Sequence, residues 1–308
     1  MLKKTTLYLF VLLLFNSCNS NQITISLSGA FGLYPLAIKW GEEYVKIHPE
    51  IRFDISAGGA GKGMADVLSE NVDFGMLSRD LSKREIEKGA YPIAVCKDAV
   101  IPTCNTNNPE YNQIQKEGLS KEDFIKIFTT TSVKTWGDVL SNKSIVDCKV
   151  YTRSDAAGAP ETWAKYLGKK QEDLQGIGVF GDPGLAEAIK NDPLSIGFNN
   201  VVFIYNVATG IPHRKLSAIP IDINGNGNID MEEDFYGSLP KLVEAIGKGL
   251  YPQPPARELY LVSKGKLKSK VLQDFLAWTL TDGQKYLTEN GYIILPKEKL
   301  EEGLQKIK

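Results

Sequence analysis

The feature that most constrains this chain is a unit repeated along it: a short apolar strand, a turn of glycine and small residues, then a helix. Ile23 to Leu27 alternates apolar and polar residues, Ser28-Gly29 punctuates the run, and Leu36, Trp40, Tyr44 and Ile47 follow three to four apart on one helical face. His48-Pro49 ends that helix. Ile51 to Ile55 is the next expected strand, Gly58-Gly59-Ala60-Gly61-Lys62-Gly63 its turn, and a helix continues to about Ser69. Val72 to Leu77 reads as a third strand, and Ser78-Arg79-Asp80 is expected to open a third, charged helix. After Ala99 the pattern resumes, with Lys149 to Thr152 as strand, Arg153 to Pro160 as turn and Glu161 to Leu167 as helix. Leu216 to Ile221 and Glu258 to Val262 also read as strands, and Ser269 caps an amphipathic helix running to Leu280. Such alternation builds an α/β fold around a largely parallel sheet. At 308 residues, two closely packed units are expected.

Composition excludes several functions. With 36 basic and 37 acidic residues the chain carries a formal charge of −1, which supplies no basic footprint for nucleic acid. The two histidines, His48 and His213, are far apart, no Cys-x-x-Cys pair occurs, and no Gly-x-Ser-x-Gly elbow is present. The glycine turn has Ser56 where a nucleotide P-loop needs glycine. No catalytic cofactor and no enzymatic activity are expected. His48, His213, Trp40, Tyr44, Trp163 and Trp278 are read as packing or surface residues.

The N-terminus reads as a targeting segment. Lys3 and Lys4 precede the apolar run Leu7 to Phe15, which is too short to span a bilayer and stops at Asn16-Ser17-Cys18. This resembles a bacterial lipoprotein signal over residues 1–17, with Cys18 lipidated and the folded part held at a membrane surface. Cys96, Cys104 and Cys148 would then lie where disulfides are permitted. Three cysteines allow one bridge, Cys104 with Cys148 or Cys96 with Cys104.

Four strand-to-helix turns stand out: Ser28 to Pro35, Gly58 to Gly63, Ser78 to Asp80, and Arg153 to Ala159. A helix N-terminus presents free backbone N–H groups to an anion, and sheets with parallel strands gather such turns at one edge. Two of the four contain arginine, so an anion cleft is expected, with Phe31 or Tyr34 near it. A separate segment, Asp222-Ile223-Asn224-Gly225-Asn226-Gly227-Asn228-Ile229-Asp230-Met231-Glu232-Glu233, has the EF-hand loop spacing. Asp222, Asn224, Asn226, the Asn228 carbonyl, Asp230 and Glu233 would supply oxygens to a structural Ca²⁺. The strand before it makes this a single loop and not a paired sensor.

The ordered set Ser28-Gly29 with Tyr34-Pro35-Leu36, Asp73-Phe74-Gly75-Met76-Leu77-Ser78-Arg79, Lys134-Thr135-Trp136-Gly137-Asp138, Arg153-Ser154-Asp155, Ser195-Ile196-Gly197-Phe198 and Leu280-Thr281-Asp282-Gly283-Gln284 resembles the PstS-type phosphate-binding proteins of phosphate ABC transporters. The resemblance implies a two-lobed periplasmic-binding-protein (type II) fold, each lobe a mostly parallel sheet flanked by helices. One lobe would combine residues 19–98 and 255–308, the other residues 99–254, with crossings near Lys97 to Asn105 and Pro254 to Leu261. It further implies phosphate held between the lobes by Ala30, Phe31, Leu33, Tyr34, Ala60, Gly61, Ser78, Arg79, Arg153, Ala157, Gly158 and Ala159. Arg153 would be the charged donor and Asp155 the carboxylate that orients it.

Family turns usually carry Ser or Thr where this chain has Ala30, Leu33, Ala60, Ala157 and Ala159, so donation here falls mainly to backbone N–H groups. Ser78 stands where some members place a carboxylate that accepts the phosphate proton, so either Asp80 or Asp155 would take that task or phosphate would be told from sulfate less sharply. The implied protein is a monomer on the periplasmic side of the cell membrane, lipid-anchored and serving an ABC permease. The rivals are a receptor for sulfate or another tetrahedral oxyanion, and a sensor that binds without transporting. A phosphatase would need a nucleophile with its base or a metal cluster, which the sequence does not supply.

Overall fold

A computed structural model describes residues 22–307; the expected signal over residues 1–17 and the expected lipidation site Cys18 lie outside the described residues. The chain begins with β1 (Ile23–Gly29), α1 (Tyr34–Ile47), β2 (Ile51–Ala57), α2 (Ala60–Leu68), β3 (Phe74–Leu77) and α3 (Lys83–Glu87). It continues through the long β4 (Ala90–Asn105), α4 (Tyr111–Glu117), β5 (Leu119–Ser120), α5 (Lys121–Thr129), β6 (Lys149–Arg153) and α6 (Gly158–Tyr166). Then come β7 (Ile177–Val179), α7 (Gly181–Asn191), β8 (Ser195–Asn200), α8 (Val201–Ile204), β9 (Leu216–Ala218) and β10 (Ile221–Asp222). The chain ends with α9 (Leu239–Gly247), β11 (Ala256–Lys264), α10 (Lys270–Thr279) and α11 (Lys297–Ile307).

Helix α1 forms as its spacing predicts. Pro35 fits the first turn, where its missing N–H costs nothing, and Leu36, Trp40 and Tyr44 bury one face. At the end of β1, Gly29 has φ +138°, and a Cβ there would lie 2.3 Å from the Met76 carbonyl oxygen. Only glycine lets β1 lie so close to β3.

Among the described residues, nine strands make one sheet in the order β2-β1-β3-β11-β4-β8-β6-β7, with β9 also pairing β4. It is mixed, not largely parallel: β1 pairs parallel with β2 and β3, but β11 runs antiparallel to both β3 and β4, and β4 antiparallel to β8. The parallel pattern returns for β6 with β7 and β8.

Two apolar cores flank this sheet. One gathers Ile25, Trp40, Phe74, Leu261, Phe275 and Tyr292, and the other Phe124, Phe128, Trp136, Trp163, Phe198 and Tyr251. Strand β4 belongs to both, pairing with β11 from Ala90 to Ala99 and with β8 and β9 from Val100 to Asn105.

Some local expectations are corrected. Ser78-Arg79-Asp80 does not open a helix; α3 starts only after Ser82, whose side chain and Glu85 form a reciprocal capping box. Helix α6 starts at Gly158, earlier than Glu161, because Gly158-Ala159-Pro160 is its first turn. Leu216 to Ile221 is two short strands. Ser269 precedes α10 but makes no side-chain cap. Cys96, Cys104 and Cys148 are all buried and free, so neither expected bridge is formed.

Candidate functional site

Two helix N-termini meet between the cores. The first turns of α2 and α6 have no side-chain cap, which leaves the N–H groups of Ala60, Gly158 and Ala159 without intrahelical partners. The turns approach closely: Gly61 N–H donates to the Ala156 carbonyl at 3.4 Å, and a Cβ on Gly59 would sit 3.2 Å from Asp155 Oδ2. Gly158 lies against Ser78, where a Cβ would fall 2.2 Å from its Oγ. Helix α1 also begins here without a side-chain cap, following Ala30-Phe31-Gly32-Leu33.

Arg153, at the end of β6, is the central cation. Its Nε and Nη2 donate to Asp155 at 2.7 and 2.6 Å, and its Nη1 donates to Asp182 Oδ2 at 2.5 Å. Phe31 reaches across to place its ring 5.6 Å from the guanidinium carbon, edge-on to Phe180 at 6.1 Å. Burial works to lower the Arg153 pKa, but the charges of Asp182 and Asp155 outweigh it and hold it above the ordinary arginine value. Burial likewise pushes Asp155 up, and the hydrogen bonds and charge of Arg153 overcome that and hold it below the usual carboxylate range.

The expected residues divide into groups. Ala30, Leu33, Ala60, Ala157 and Ala159 are buried apolar positions whose contribution to a polar ligand is confined to the backbone. Tyr34 is half-buried at the start of α1. Arg79 stands apart from Arg153: it is held by Glu85 at 2.7 Å and by Glu161 at 3.2 Å. It lines a cavity of about 430 Å³ with Arg257 and Tyr260. Asp80 pairs with Lys165 at 2.7 Å and its side chain is 69% exposed, whereas Asp155 lies beside Arg153. The Ser28 hydroxyl donates to Asp66 at 2.5 Å and accepts from Lys62 at 2.8 Å.

Sequence reading missed Asp182, Asn200, Asp98 and Arg257. Asn200 Nδ2 donates to Asp182 Oδ1 at 2.8 Å, and its Oδ1 accepts from Arg257 Nη2. Arg257 Nε in turn donates to Asp98 Oδ1 at 2.8 Å. The available signal was a pair of adjacent opposite charges set in each of two otherwise apolar stretches, Lys97-Asp98 and Arg257-Glu258.

Among the described residues no group of three or more His, Cys, Asp or Glu gathers as a metal site. In the Asp222-to-Glu233 loop the Asp222 and Glu233 carboxylates are buried and accept backbone N–H groups: Gly225 and Gly227 donate to Asp222 at 2.7 and 2.8 Å, and Ile223 donates to Glu233 at 2.9 Å. The Asn224 and Asn226 amides donate to Asp230 Oδ2 at 2.9 and 2.8 Å.

A mixed sheet shared by two cores, with helix N-termini and a buried arginine meeting between them, defines a two-lobed α/β binding protein. Residues 17–283 match the model of the PBP superfamily domain, and the chain belongs to that superfamily. Among curated relatives, the phosphate-binding protein PstS of Xylella fastidiosa is 22% identical, with 90% of this chain and 83% of the relative covered. The PstS of Methanocaldococcus jannaschii is 23% identical, covering 95% of this chain and 87% of the relative. A putative phosphate ABC transporter substrate-binding protein from Clostridium perfringens, solved with bound phosphate, superposes with TM-score 0.72 at 18% identity, over 89% of this chain and all (100%) of that one. An ABC-type phosphate transport receptor from Vibrio cholerae gives TM-score 0.63 at 16% identity, over 88% of this chain and 100% of that one. The PstS-type resemblance read from the sequence agrees with these relatives.

Proposed function

We infer that this protein is a binding protein that captures inorganic phosphate between its lobes and delivers it to an ABC permease. The observation that carries this reading is the meeting of the uncapped first turns of α2 and α6 beside the buried Arg153. Uncapped helix N-termini that meet beside a buried cation favour a small oxyanion. The curated relatives named as phosphate-binding proteins give that anion its identity. No catalytic step belongs to this reading: binding and release are the whole activity. The lobes would comprise residues 19–98 with 255–308 and residues 99–254, a division the two separate cores support.

Three finer points complete the proposal. Cys18 carries a lipid that holds a monomer on the periplasmic side of the cell membrane; loss of fatty-acid labelling in Cys18→Ala tests this. The Asp222-to-Glu233 loop binds a structural Ca²⁺ through mixed carboxylate, amide and carbonyl oxygens, which the buried Asp222 and Glu233 support. Calcium is then expected to raise the melting temperature, and Glu233→Gln to abolish the rise. Phosphate is preferred to sulfate, with Asp155 accepting the proton that sulfate lacks.

Calorimetric titration of protein stripped of anion tests the main reading. One equivalent of phosphate binding at micromolar concentration or tighter, with sulfate much weaker, is the expected result. Equal binding of both would favour a general oxyanion receptor, and binding of neither would overturn the reading.

A further inference from the structure

Six side chains form one continuous chain, buried except for the half-buried Asp155, from the cleft to the strands that link the cores: Asp155, Arg153, Asp182, Asn200, Arg257 and Asp98. Asp182, Asn200 and Asp98 are no more than 2% exposed, Arg153 is 5% and Arg257 7% exposed. Arg257 and Asp98 are cross-strand partners on β11 and β4, next to where β4 changes neighbours from β11 to β8. Gly32, in the turn before α1, closes over the chain: a Cβ there would lie 3.0 Å from both Asn200 Nδ2 and Asp98 Oδ2. One connected set of polar groups thus touches the cleft, both cores and the linking strands.

Asn200 is the one neutral link. It must donate to a carboxylate on one side and accept from a guanidinium on the other, and an amide does both at once. Alanine would do neither, and an ionised carboxylate would keep the bond to Arg257 while setting two negative charges against each other at Asp182. Buried charges left imperfectly paired are costly, so the chain favours the single arrangement that satisfies all of its members.

We propose that Asn200 is a positioning residue that ties the cleft cation Arg153, through Asp182, to the Arg257–Asp98 pair on the linking strands, so that anion capture and lobe closure proceed as one event. This rests on the phosphate-binding reading. An anion drawing on Arg153 alters the charge that faces Asp182, and Asn200 passes the change to the pair at the crossing.

The test compares wild type, Asn200→Ala and Asn200→Asp, each stripped of anion, by phosphate titration at pH 7.5 and pH 5 and by solution scattering with and without phosphate. Asn200→Ala is expected to bind phosphate at least tenfold more weakly and to have a larger radius of gyration at saturation. In Asn200→Asp the charged groups facing the new carboxyl are Asp182, Asp98, Arg257 and Arg153, with Asp155 beyond. Once protonated, that carboxyl regains a donor and an acceptor, so the deficit relative to wild type at pH 7.5 should shrink at pH 5. A residue serving packing alone would give a deficit equal at both pH values. Unchanged affinity in Asn200→Ala, or a pH-independent deficit in Asn200→Asp, would overturn the proposal. If wild type binds no phosphate, it is the functional reading that fails. The coupling, which needs that capture, then falls with it, whereas unchanged affinity in Asn200→Ala beside a wild type that binds refutes the coupling alone.

Discussion

Gly158 packs directly on Ser78, so closely that a Cβ at position 158 would lie 2.2 Å from the serine Oγ and 2.3 Å from its carbonyl oxygen. One residue starts α6 and the other follows β3, so this contact sets how near the two sides of the cleft come. Gly158→Ala is a mild change for an isolated helix start, and its effect should fall on closure. Overpacking of about 1–3 kcal/mol corresponds to a loss of about fivefold to about 150-fold in phosphate affinity. Calorimetry with a parallel melting curve checks this, and the melting temperature is expected to stay nearly unchanged.

Arg153 separates charge from geometry. Arg153→Gln leaves Asp155 and Asp182 buried without their cation, a loss of about 3–5 kcal/mol of stability. Arg153→Lys keeps the charge but cannot span both carboxylates with a planar fork. It should therefore unfold at higher urea than Arg153→Gln while binding phosphate at least tenfold more weakly than wild type.

Glu85 makes the acid side of the stability profile testable. Burial works to raise its pKa, but Arg79 and the Ser82 N–H outweigh it and hold the carboxyl at about 2, down from 4.5. The folded value is depressed, so its stabilisation is fully present above about pH 4.5 and is lost as the pH falls toward 2. With its side chain 17% exposed, the pair is worth on the order of 1–2 kcal/mol after screening. Urea melts of wild type and Glu85→Gln should differ at pH 6 and converge near pH 2.

The cysteines give a chemical check on the cores. Burial pushes the Cys104 and Cys148 thiols up to about 12 and Cys96 well above its ordinary value. Thiolate is the reactive form, so a chain of residues 22–307 should react slowly with a thiol reagent while folded. Unfolded without reductant, it should release three reactive thiols. Recovery of a single thiol would mean that a disulfide forms.

Much of this fold is legible in the sequence because its signals are local. The spacing of Leu36, Trp40 and Tyr44 marks α1, and the glycines from Gly58 onward mark the turn into α2. Misreadings arise where two local rules compete. Ser78-Arg79-Asp80 looks like a helix start, yet the reciprocal Ser82–Glu85 cap fixes α3 further on. Pro160 looks like a turn residue, yet proline is at home in a helix's first turn. The antiparallel return of β11 beside β4 joins residues such as Arg257 and Asp98 that lie far apart in the chain, and no window on the sequence contains both. The family resemblance pairs Arg153 with Asp155, two residues apart in one motif, whereas Asp182 and Asn200 lie outside every motif that carries it.

The measurement that tests the central claim most directly is an amide ¹H–¹⁵N spectrum of the anion-free protein during addition of phosphate. If backbone N–H groups at the starts of α2 and α6 hold the anion, the Ala60, Gly158 and Ala159 amides should move downfield together and saturate at one equivalent. If phosphate leaves those amides unmoved, or shifts only signals elsewhere, the anion is not held between these helices and the account of the site is wrong.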